Sequence, residues 1–80
     1  MHYVYLLRSL SHPDQTYVGY TSNLSERLAT HNSKGSPHTS KFVPWEIMCT
    51  ISFREKSKAE AFESYLKSGS GRAFAKKRLG

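Results

Sequence analysis

Residues 3–8 form a strand-like run of β-formers and leucines in which Tyr3, Tyr5 and Leu7 share one parity. Residues 9–14 bring serines, a histidine, a proline and an aspartate, which is turn chemistry. Residues 15–21 are again rich in β-formers, so the first twenty residues predict a hairpin. If directly opposed residues have even-numbered sums, Tyr5 and Tyr17 point to the same face of that hairpin. Asn23 with Glu26 then resembles a capping box, starting a helix that runs to about Asn32. Residues 33–39 read as a loop. Pro44 opens the clearest strand, in which Trp45, Ile47, Cys49, Ile51 and Phe53 alternate with Glu46, Met48, Thr50 and Ser52.

A second capping box, Ser57 with Glu60, predicts a helix that ends before Gly69. Residues 68–71 (Ser-Gly-Ser-Gly) predict a turn, and a short basic helix from about Arg72 to Leu79 closes the chain. The expected fold is α+β: a three-stranded sheet flanked by helices, in the order β-β-α-β-α-α. It fills residues 1–80 as a single domain, without repeats or a linker.

Two polar residues sit oddly within these periods. At ~100° per residue, Leu24, Arg27, Leu28 and His31 fall in one arc of the first helix. Ala59, Phe62, Glu63 and Leu66 do the same on the second. A charge set among apolar neighbours is costly unless it is paired, solvated or bound to metal. One reading is a buried Arg27–Glu63 salt bridge, or two side chains snorkelling from the edges of their stripes. The other is that both helices aim polar groups over the sheet surface that carries Tyr5 and Tyr17. A cation, a carboxylate and two hydroxyls in one place are the parts needed for phosphate chemistry.

Charge admits two readings of its own, a basic surface for a polyanion and a solvated basic tail. Twelve lysines and arginines against six acids give a formal charge of +6, which suits a polyanionic partner, nucleic acid before a membrane surface. Lys67, Arg72, Lys76, Lys77 and Arg78 all follow the last acid, Glu63. The single cysteine, Cys49, excludes an internal disulfide and a CxxC zinc knuckle. No apolar run approaches the roughly 20 residues of a membrane span, and the N-terminus has no signal-peptide pattern. The expectation is a soluble, cytoplasmic protein. His31 and His38, seven residues apart around a Gly-Ser-Pro sequence, do not have a trustworthy ligand spacing.

Tyr3, Val4 and Tyr5, followed after eleven residues by Tyr17, Val18 and Gly19, resemble the paired signature of the GIY-YIG nuclease superfamily. Asn23, Leu24, Arg27 and His31 resemble its first helix. Ala59 to Glu63, with Leu66 to Arg72, resemble its glutamate-bearing helix and the turn after it. The likeness covers nearly the whole chain and is closest to the small stand-alone bacterial members. Tyr3 stands where the signature's first glycine would be. Phe74 and Ala75 occupy the region where many relatives carry a late polar residue, so that role is not carried over.

The resemblance implies hydrolysis of a phosphodiester by an activated water, with one divalent metal, Mg²⁺ or Mn²⁺, held by Glu63. Arg27 would bind the scissile phosphate, and Tyr5 and Tyr17 would orient the water. The general base is open among Tyr5, Tyr17 and His31. Gly19 would permit close backbone packing under the site or a bulge at the strand end, and Trp45 would anchor the core. Lys67, Arg72, Lys76 and Lys77 would contact the phosphate backbone. The implied partner is DNA, whether duplex, branched, damaged or single-stranded, with RNA also open. Two other classes compete: a non-catalytic basic module of the same fold that binds nucleic acid, and a protein-interaction domain with an acidic partner. Oligomeric state, cut position and pathway are not encoded in any feature of the sequence.

Overall fold

The computed structural model describes residues 1–33 and 39–79. Most of the predicted loop, including His38, therefore lies outside the described residues. Strand β1 (His2–Ser9) is the centre of a three-stranded antiparallel sheet, with β2 (Thr16–Thr21) on one side and β3 (Trp45–Phe53) on the other. Helix α1 is Leu24–Asn32, α2 is Lys56–Lys67 and α3 is Gly69–Phe74, continued by a π-helical turn at Ala75–Leu79. This is the order expected from the sequence.

The hairpin register pairs Tyr5 with Gly19 and Leu7 with Tyr17, so opposed numbers do sum evenly and the two tyrosines share a face. Val4, Tyr5, Leu6 and Leu7 are all buried, although their side chains point alternately to opposite sides. Such a run is buried throughout only when both faces of the sheet are covered. On one face Tyr5, Leu7 and Trp45 pack with Leu24 and Leu28 of α1. On the other, Val4 packs with Ala59 and Leu66 of α2 and with Ala75.

This two-sided arrangement corrects the expectation that both helices lie over the tyrosine face: α1 covers it, and α2 covers the opposite one. It also corrects the reading of β3. Leu6 pairs with Cys49 and Leu7 with Ile47, which leaves Met48 as an extra residue at a β-bulge. A bulge reverses the parity of the strand. Trp45 and Ile47 therefore belong to the face of Leu7, whereas Cys49, Ile51 and Phe53 belong to that of Val4 and Leu6.

Helix starts follow local chemistry. Asn23 Oδ1 accepts from the Glu26 backbone N–H at 3.1 Å, while Thr21 Oγ1 accepts from the Asn23 N–H at 3.0 Å. The expected Ser57–Glu60 box does not form. Helix α2 begins earlier, after Glu55, whose backbone carbonyl accepts from the Ala59 N–H at 3.2 Å. The Glu55 side chain pairs with Lys58 at 3.3 Å and leaves the cap unmade. The Ser-Gly-Ser-Gly stretch is not a free turn either. Ser68 caps α3, its Oγ accepting from the Gly71 N–H at 3.1 Å, so the last helix starts at Gly69.

Candidate active site

Tyr5 lies on the central strand with only 3% of its surface exposed. Its ring occupies the space above Gly19: a Cβ added there would run into Oη and Cζ and come within 2.9 Å of Cε1. The expected close packing at Gly19 is thus a seat for the Tyr5 phenol. Burial, then the neighbouring Tyr17, push the Tyr5 hydroxyl from 10.0 up to about 12, while Arg27 pulls against them and Glu63 adds a small rise. Tyr5 is therefore a neutral hydroxyl at physiological pH, not a standing phenolate.

His31 closes the site from α1 and is 1% exposed. Its Nε2 lies 3.0 Å from Tyr5 Oη, and its Nδ1 lies 2.8 Å from Oγ1 of the buried Thr39. Burial, and secondly the positive charge of Arg27, lower its pKa, so the neutral imidazole is the resting form. Tyr17 completes the group, with ring centroids 4.9 Å from His31 and 6.3 Å from Tyr5. The position of His31 is fixed at the end of its helix. Asn32 accepts from the Trp45 N–H at 2.6 Å and donates to its carbonyl at 3.2 Å, tying α1 to the start of β3.

Among the described residues Arg27 does not form the salt bridge with Glu63; it is exposed and carries its charge outward from the edge of its apolar stripe. It lines an open hollow of about 360 Å³ with Thr21, Asn23 and Thr30, near enough to act electrostatically on both Tyr5 and His31. Glu63 is on α2, so it approaches from the other side of the sheet. Its side chain is 23% exposed and pairs with Lys67 at 3.3 Å. Tyr5, Tyr17, Arg27 and His31 thus form one neighbourhood on the α1 side, and Glu63 stands behind it within electrostatic range of Tyr5.

Three of the four expected phosphate contacts gather around a groove that Tyr17 also lines. Lys67, Arg72 and Lys76 line this open groove of about 840 Å³ between α2, α3 and the hairpin. Lys77 is exposed but does not line it. Arg8 also lines this groove and was not anticipated; it is held by Glu46 across the β1–β3 pair at 3.0 Å. Thr39 was missed as well. It is the last residue of the predicted loop, where no periodicity marks a residue as buried.

Among the described residues no three His, Cys, Asp or Glu side chains cluster as metal ligands. A cation at Glu63 would have a single protein carboxylate and would fill its shell with water and substrate. That suits a hard ion which keeps its waters, such as Mg²⁺. No helix among the described residues is long and apolar enough to cross a membrane.

Comparison with known proteins agrees with this fold. The family model of the GIY-YIG catalytic domain matches residues 1–78. A UPF0213 protein of Lactococcus lactis subsp. cremoris is 40% identical over 68 residues, which are 82% of this chain and 66% of that protein. The structure-specific endonuclease subunit SLX1 of Debaryomyces hansenii is 41% identical over 70 residues, 79% of this chain and 20% of that protein. The chain spans under two thirds of each of these two relatives. The solution NMR structure of a UPF0213 protein from Bacillus halodurans matches with a TM-score of 0.57 and 29% identity, over 99% of this chain and 86% of that one.

Proposed function

The chain belongs to the GIY-YIG family, and we propose that it is an endonuclease that hydrolyses DNA phosphodiester bonds with the help of one divalent metal at Glu63. The observation that carries this reading is the buried Tyr5–His31 contact of 3.0 Å, with the exposed Arg27 near enough to act electrostatically on both. A histidine that served only to fill the core would not need a second tyrosine and an exposed arginine at its edge. The similarity to a protein named as a structure-specific endonuclease subunit supports the same reading.

Arg27 binds the scissile phosphate, where its planar fork reaches two oxygens. Tyr17, half-buried at the rim of the cluster, orients the attacking water. Tyr5 takes a proton from that water while passing its own to His31 Nε2, with Nδ1–H held by Thr39 Oγ1. The order matters because Tyr5 is pushed to about 12: a free phenolate does not accumulate, and the two transfers are concerted. Mg²⁺ or Mn²⁺ bound by Glu63 would supply charge stabilisation for the phosphate and leaving oxygens. Lys67, Arg72 and Lys76 hold the flanking backbone.

Nicking of supercoiled plasmid by the pure protein tests the proposal, with Mg²⁺ or Mn²⁺ and with chelator, beside Glu63→Gln. Cleavage that needs both the ion and Glu63 is expected. Retention of DNA without cleavage of duplex, branched, damaged or single-stranded DNA, or of RNA, under either metal overturns the proposal in favour of the binding module.

A further inference from the structure

Glu63 already has a cation. Its Oε2 lies 3.3 Å from Lys67 Nζ, four residues on in α2, and Lys67 also lines the basic groove with Arg72 and Lys76. We propose that Lys67 is a displaceable counter-ion: it occupies Glu63 in the metal-free protein and, when a divalent ion takes the carboxylate, it swings into the groove to meet a phosphate. This rests on the reading of Glu63 as a metal ligand.

The exposure of the pair and the chemistry of lysine favour this exchange. The pair is asymmetric, with Lys67 52% exposed and Glu63 23%, so the lysine is the partner free to move. A helical i, i+4 pair at such exposure is weak and easily exchanged. The four-carbon stem of lysine lets its ammonium sweep several ångströms without backbone movement. Lys67 already borders the groove while paired with Glu63, so the movement that would turn its ammonium to a phosphate there is short.

Lys67 is therefore a positioning residue that couples metal entry to phosphate binding. An unoccupied Glu63 would repel a phosphate drawn towards the site. Lys67 screens that charge until a metal replaces it, and then adds its own charge to the groove.

The test uses Mn²⁺ binding followed by electron paramagnetic resonance, without nucleic acid, for the wild type, Lys67→Met, Lys76→Met and Glu63→Gln. Lys76→Met removes the same charge from the same groove but leaves the ion pair intact. Lys67→Met is expected to bind Mn²⁺ about twofold more tightly than wild type, and Lys76→Met to match wild type. Equal effects of the two lysine variants, or no tightening in Lys67→Met, overturn the exchange. Undiminished Mn²⁺ binding by Glu63→Gln instead overturns the metal-ligand reading, so the two failures are distinguishable.

A second measurement needs no metal. In chelator, the salt slope of oligonucleotide retention should fall by about one for Lys76→Met and stay unchanged for Lys67→Met, whose charge is engaged with Glu63. A unit loss for Lys67→Met would show that it already faces the phosphate, and would overturn the proposal.

Discussion

Tyr5 and Gly19 face each other across the β1–β2 ladder, and the phenol of one fills the space that a side chain on the other would need. The backbone at Gly19 is not in a left-handed conformation, so the requirement for glycine there is one of space. Gly19→Ala should leave the hairpin paired while moving the Tyr5 ring off its seat and away from His31. Overpacking of this kind costs about 1–3 kcal/mol. A displacement of about 1 Å at the chemistry costs on the order of 100-fold in rate. Steady-state kinetics should show kcat reduced with KM little changed. Full activity in Gly19→Ala would separate the position of the Tyr5 ring from the reaction.

Tyr5→Phe keeps the ring and removes the hydroxyl. His31 Nε2 then loses its 3.0 Å partner inside a site that is 1% exposed. An unsatisfied buried polar group costs roughly 1–3 kcal/mol, which a urea titration resolves. Loss of a proton-transfer group costs on the order of 10²–10⁴ in rate. Both losses are expected together. A variant that is destabilised but fully active would confine Tyr5 to a structural role.

Much of this arrangement was legible beforehand, and the misses have specific causes. Parity alone put Tyr5 and Tyr17 on one face, because a two-residue period admits no other outcome once the register sum is even. The helical arc put His31 and Glu63 among apolar neighbours, and in the structure His31 is buried while Glu63 stays partly exposed. Arg27 shared its arc yet is exposed, since a long side chain at the border of an apolar stripe carries its charge outward. The bulge at Met48 was invisible because an apolar residue on either face of a covered sheet is satisfied, so alternation continues across a reversal of side. The start of α3 was hidden by two glycines that usually mark a turn. Here Ser68 supplies the cap, and Gly71 is needed for contact with α2.

The pH dependence of stability follows from His31. Burial and Arg27 lower its pKa below the ordinary 6.5, so the unfolded chain binds the proton more readily than the folded one. Stability from the neutral imidazole is then fully present above about pH 6.5 and is lost as pH falls towards the folded value. Chemical denaturation from pH 8 to 5 should show a decline that His31→Gln flattens, at the cost of lower stability at pH 8. An unchanged slope in His31→Gln would assign the acid sensitivity to other groups.

The two glycines of α3 provide a matched pair for the junction that carries the basic groove. A Cβ on Gly71 would strike the carbonyl of Tyr65 and lie 2.7 Å from Leu66 Cα, whereas one on Gly69 meets nothing within 4 Å. Backbone atoms cannot turn aside as a flexible side chain can, so Gly71→Ala must push α3 away from α2. That displaces Arg72 and Lys76 from the groove and uncovers Leu66. Gly71→Ala should cost about 3 kcal/mol or more and weaken oligonucleotide retention. Gly69→Ala adds a better helix former at an open position and should stabilise the protein by about 0.4–1 kcal/mol, with retention unchanged. Thermal denaturation of the two variants side by side distinguishes them. Equal stabilities would mean that the close approach of Gly71 to α2 is not needed to hold the two helices together.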